Sequence, residues 1–249
     1  MSPAAKRSSY SWVAAAFVVL AGLSTNAGAD VRDPMVALDR AYVPALALTN
    51  MPGKDAQSRE ATRRLSEAWA GFTKTIDPAF KRDRTLAKVL AESTEKITAA
   101  AALAGAGQIA KAHDALEHVR GALWKWREAR GLVYFPDSLT AFHDEMEHLV
   151  DLGAKGADRE AQRKAYASAR SRWVDVERAA ERFEAKLYGF DAARIERLRG
   201  LMAKERALLD DYAVALAASN PQALAGAGRA LKGNFAQTYF LFGDFAGLQ

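Results

Sequence analysis

Apolar residues recur at intervals of three and four along most of the chain. Leu139, Phe142, Met146, Leu149 and Val150 form one stripe, and Ile109, Ala112, Leu116, Val119, Leu123 and Trp126 form another. At 100° per residue each set falls on one face of a helix, and the alternation that marks a half-buried strand is missing. Val, Ile and Thr hardly cluster, whereas Ala, Leu, Arg, Glu and Lys dominate. The pattern predicts an all-α protein.

Breakers cut this pattern into about eight helical segments. Short turns fall at Asn50–Lys54, Gly105–Gly107, Gly153–Asp158 and Ser219–Pro221, and longer connections at Asp77–Asp83, Gly131–Asp137 and Gly189–Asp191. Asp137, Asp158 and Asn220 stand where N-caps are expected, with Pro221 at a first helical position, and Gly105 and Gly153 read as C-terminal stops. The breaks pair the helices into four antiparallel hairpins. The second helix of three hairpins carries a comparable Ala-rich run leading to Trp69, Trp124 or Trp173, and the fourth ends in the aromatic stretch Phe235–Phe245. This is weak internal repetition of a hairpin. Short loops make neighbours antiparallel, so the hairpins form an up-down helical bundle. It is either one elongated bundle or two stacked four-helix bundles divided near 131–136.

The first residues break the pattern. Lys6 and Arg7 precede the apolar run Trp12–Leu23, and Ala27-Gly28-Ala29 precedes Asp30 as a small-residue cleavage site. Met1–Ala29 therefore reads as a secretory signal peptide, with an uncleaved anchor as the alternative. The run is shorter than the roughly 20 residues a spanning helix needs. Residues 30–249 are then the mature bundle, expected in the periplasm, with no further segment apolar enough to span a membrane.

Charge and cysteine content exclude several classes. The whole chain carries +5, and removing Lys6 and Arg7 leaves the mature part near +3, spread over alternating signs. That balance gives no footprint for nucleic acid. With no cysteine there is no disulfide, thiol nucleophile, Cys-ligated zinc, iron–sulfur cluster or c-type haem attachment. Glycine-rich phosphate loops and the G-x-S-x-G elbow are also missing. The basic stretch Arg159–Arg172 reads as a solvated helix face. Trp124–Arg127 with Tyr134-Phe135 reads as core edge, with an aromatic ligand platform as the alternative.

One constellation can hold chemistry. All four histidines lie between residues 113 and 148, in two copies of H-D-x-x-E-H: His113–His118 and His143–His148. Imidazole is the commonest protein metal ligand, and bundle interiors commonly house metals. On the helical wheel His113/Glu117 and His143/Glu147 border the apolar stripes, each pair at i,i+4, while His118 and His148 point outward. Counting through the Gly131–Pro136 connection puts Glu147 level with Arg120, His143 level with Trp124, and His113 about 16 Å along the axis from His143. In that register one metal cannot take both histidines. The alternative reading makes these boundary residues joined in i,i+4 pairs, with Arg120–Glu147 as a cross-helix ion pair. Di-iron carboxylate bundles use E-x-x-H on two helices; Glu145–His148 supplies one, but Ala115 stands where the second needs Glu. The architecture is similar to periplasmic four-helix cytochromes, and a non-covalent haem would draw on a histidine with Met146, Met202 or another histidine.

Two functions follow from these residues. The first is a non-catalytic interaction, adaptor or sensor module with an unknown periplasmic partner. The second is a protein binding copper, zinc or iron, or non-covalent haem, through His113, Glu117, His143 and Glu147, with His118 and His148 next. No nucleophile–base pair can be named, so the chain does not read as an enzyme.

Overall fold

The computed structural model describes residues 30–76, 80, 82–156 and 158–248; the leader assigned to 1–29 lies outside them. The described residues form α1 (Asp33–Thr49), α2 (Asp55–Thr75), α3 (Arg84–Gly105), α4 (Ile109–Glu128), α5 (Phe135–Ala154), α6 (Arg159–Ala180), the single turn α7 (Ala185–Tyr188), α8 (Ala192–Ala218) and α9 (Pro221–Phe240). None of these helices is long and apolar enough to cross a membrane.

The chain is all-α, and its long helices pair as α1–α2, α3–α4, α5–α6 and α8–α9. Two rings result. In the first, α2 packs on α3, and α4 closes back on α1; in the second, α6 packs on α8, and α9 closes back on α5. The protein is thus two four-helix bundles joined near 131–136, and Val31–Gln249 form one compact unit. The bundles meet where α1 faces α9 and α4 faces α5. Leu65, Leu86, Ala100 and Leu116 are fully buried in the first, and Phe142, Trp173, Leu209 and Leu231 in the second. Each large apolar side chain so buried contributes about 1.5–3 kcal/mol.

Capping explains most helix ends. Asp158 accepts from the amides of Glu160 and Ala161, and Asn220 from those of Gln222 and Ala223, with Pro221 following. Asp83 caps α3 through Thr85 and Leu86, and also holds the Trp126 indole N–H at 3.2 Å and the Arg130 guanidinium. Two expected boundaries shift. Asp137 is no cap: the cap position is Tyr134, three residues earlier, and Asp137 accepts a two-pronged bond from the buried Arg127 at 2.7 and 2.6 Å. Gly153 does not stop α5 either. The left-handed residue is Gly156 (φ +65°), and Gly153 lies within the helix because Tyr212 crosses it. A Cβ there would come 2.5 Å from the Tyr212 hydroxyl, which donates to the Leu149 carbonyl.

The C-terminal aromatic run turns inward. Phe242 is buried among Phe135, Phe183, Tyr188 and Phe190, with ring centroids 5.1–6.2 Å away. The chain end is anchored on α1. Pro44 has no N–H to give the Arg40 carbonyl, and the Asp244 amide donates to that carbonyl at 2.8 Å. Gly243 makes this approach feasible, since a Cβ would sit 2.9 Å from Pro44 Cδ.

Candidate functional site

A cavity of about 310 Å³ lies between the bundles, walled by α1, α4, α5 and α9. Its polar wall is His113, Glu117 and Arg120 from α4, His143 and Glu147 from α5, and Lys232 from α9. The apolar wall includes Met51, Met146, Phe235, Tyr239 and Phe240. The four principal metal-ligand candidates therefore share one cavity. His118 and His148 do not line it and are exposed, as the helical wheel requires. Met146 lines the cavity and Met202 does not.

The register differs from the one counted through the connection. Arg120 reaches His143, with its guanidinium nitrogen 2.8 Å from Nδ1 and 3.8 Å from an Asp144 oxygen. Glu147 is not its partner and pairs instead with Lys232 at 2.7 Å. The offset from Glu147 to His143 is one helical turn. The count treated α4 and α5 as one hairpin, whereas each packs chiefly within its own bundle.

Hydrogen bonding sets the state of each imidazole. A carbonyl only accepts, so His113 Nδ1, 3.0 Å from the Leu46 carbonyl, is the donor there. Its Nε2 lies 3.6 Å from Glu117 Oε1. A guanidinium only donates, so His143 Nδ1 accepts from Arg120, and the ring proton of His143 is on Nε2, 3.6 Å from Glu147 Oε1. His143 thus has no lone pair left for a metal in this arrangement, while His113 keeps one. Among the described residues, no three His, Asp or Glu side chains converge as a metal ligand set.

Arg120 is the centre of the wall. It is buried, donates to Glu117 as well as His143, and lies 5.9 Å from the Tyr239 ring centroid. Burial works against its charge, but Glu117 and the other acidic neighbours outweigh it and hold its pKa above the usual value. Phe235 lies against His143 with ring centroids 5.1 Å apart. Behind the cavity, Tyr42 donates to the Leu116 carbonyl, and Tyr134 donates to Asp39 at 2.5 Å under the Arg127 guanidinium. Burial raises Asp39 to about 6 against the pull of Arg127. Trp126, Arg127, Tyr134 and Phe135 are all buried, which makes the aromatic-basic stretch core edge.

Lys232, Phe235 and Tyr239 are the contributors that sequence periodicity missed. They lie on a helix whose docking against α5 depends on close approach at Gly228, where a Cβ would meet Val150 Cγ1 at 3.0 Å. No protein-family profile, curated protein or solved structure matches this chain.

Proposed function

We propose that the protein is a non-catalytic binding protein whose ligand is a small organic molecule held in the cavity between the bundles. The observation that carries this reading is the convergence of both H-D-x-x-E-H turns, from different bundles, on one cavity. The cavity combines a hydrogen-bonded polar wall with an aromatic one, the usual composition of a small-molecule site. A cavity between two packed units also gives the ligand a way to bias their relative placement, which suits a sensor or transport-type carrier. A protein partner finds less support, because Phe235, Tyr239 and Phe242 of the aromatic chain end, which a partner could otherwise have met, are buried.

The metal reading keeps one specific support, the His113 Nε2 lone pair 3.6 Å from Glu117 Oε1. Two ligands from the protein would leave a divalent copper or zinc ion to take the rest from solvent or a bound molecule. The deciding experiment is native mass spectrometry, with elemental analysis, on protein from its exporting host. The unmodified chain is compared with Ala236→Trp, which fills the cavity from a half-buried position. The proposal expects a bound organic mass in the first and its loss in the second. Stoichiometric metal lost on His113→Ala, with no organic mass, overturns it in favour of the metal reading.

A further inference from the structure

We infer that a second site, outside the cavity between the bundles, binds a long-chain carboxylate: an apolar tail ending in one negative charge. The place is a groove of about 830 Å³ bounded by the α1–α2 turn, the start of α8, the end of α9 and the segment after it. Its volume is that of an ordinary small-molecule site. The floor is apolar. Met51, Phe240 and Phe245 line it and are only half-buried, the two rings with centroids 5.4 Å apart, beside the buried Leu48, Leu241 and Leu248. Such a half-covered apolar surface gains from a hydrocarbon chain laid along it.

Charge supplies the other half of the ligand. The titratable side chains that line the groove are Lys54, Arg194 and Arg197 against Asp191 and Asp244, so one positive charge is left over. Both acids already accept a backbone amide: Asp191 Oδ1 that of Arg194 at 2.7 Å, capping α8, and Asp244 Oδ1 that of Ala246 at 2.9 Å. Arg194 is partly engaged, with Nη2 3.3 Å from the Gly243 carbonyl oxygen and its guanidinium 4.9 Å from the Phe190 ring centroid. The Lys54 and Arg197 side chains make no hydrogen bond or ion pair among the described residues. Their N–H groups and those left on Arg194 exceed the lone pairs left on Asp191, Asp244 and the Gln237 amide oxygen. An ionised carboxylate only accepts, and it carries the single charge that the lining lacks. An ammonium head would add donors and charge of the wrong sign, a hydroxyl would leave the charge unmet, and a doubly charged phosphate would overshoot it.

The test titrates decanoate, decanol, decylamine and hexanoate at neutral pH into the full mature chain, followed by calorimetry and by the shift in melting temperature. Decanoate should bind and raise the melting temperature. Decanol and decylamine should bind about tenfold more weakly or worse, for want of the charge, and hexanoate likewise, for want of tail. Lys54→Gln combined with Arg197→Gln should weaken decanoate about tenfold and leave decanol unchanged. Neither side chain has a partner in the fold, so the double variant reports on binding and not on stability. Ala193→Trp, which fills the groove from an exposed position, should abolish binding. Lys88→Gln, exposed on α3, should leave it unchanged. Decanol or decylamine binding as tightly as decanoate overturns the proposal. So does decanoate binding that survives Ala193→Trp and is lost on Ala236→Trp, which would place the chain in the cavity between the bundles. Pelleting with phosphatidylglycerol vesicles, with no binding of decanoate in solution, overturns it in favour of a membrane surface.

Discussion

Glu205 offers the sharpest test of the energetics. It sits on α8 in the centre of the second bundle, with no exposed surface, and burial raises its pKa to about 8. Asn234 Nδ2 donates to its Oε2 at 2.6 Å and to the Leu201 carbonyl at 2.9 Å. Glu205 Oε1 and Asn234 Oδ1 have no hydrogen-bond partner. In the unfolded chain the same carboxyl titrates near 4.5. Between these values the folded state binds the proton more tightly, so stability falls as pH rises from about 4.5 to 8. At 1.36 kcal/mol per pKa unit, the loss reaches about 3 kcal/mol at pH 7. Glu205→Gln removes the titration and keeps an acceptor for Asn234. Its new amide can also donate toward Asn234 Oδ1. Denaturant unfolding at pH 5, 7 and 9 should show little difference at pH 5, and a variant more stable by about 3 kcal/mol at pH 7 and about 5 kcal/mol at pH 9. A variant destabilised equally at all three pH values would refute the reasoning, as would an unmodified chain no more stable at pH 5 than at pH 8.

Three further expectations follow from packing and from the buried ion pair. Gly153→Ala should cost about 1–3 kcal/mol, because its Cβ meets the Tyr212 hydroxyl; Tyr212→Phe in the same chain should return part of that loss, and additive losses would disprove the clash. Gly243→Ala should destabilise by a similar amount and raise hydrogen exchange at the Asp244 amide, which otherwise bonds the Arg40 carbonyl. Arg127→Ala strands the buried Asp137 and should lose about 3–5 kcal/mol, more than Arg127→Ala combined with Asp137→Ala; equal losses would mean the two do not act as a pair.

Periodicity alone carried the fold class, the hairpin pairing and the turns at Asn50–Lys54 and Ser219–Pro221, because amphipathic stripes and caps are local properties. It also oriented each histidine on its own helix: His113 and His143 turned inward, His118 and His148 outward. What stayed hidden was which helices face one another. Arg120 finding His143 instead of Glu147, and Lys232 reaching Glu147, follow from α4 and α5 belonging to different bundles, a fact no local pattern encodes. Asp137 shows a second limit: the same residue type suits a helix cap and a buried ion pair, and only the position of Arg127 separates them. A clue at Asn234 was legible, since an amide amid Leu231, Phe235 and Thr238 interrupts an apolar stripe and implies a buried polar partner.

Pro44 gives the chain a sense of order in time. A carbonyl in the first helix waits for the amide of Asp244, so α1 is not completed until that distant segment has been made and brought back. The final turn around Gly243 then acts as a latch. It closes the fold only when the segment after Phe240 has folded back onto α1.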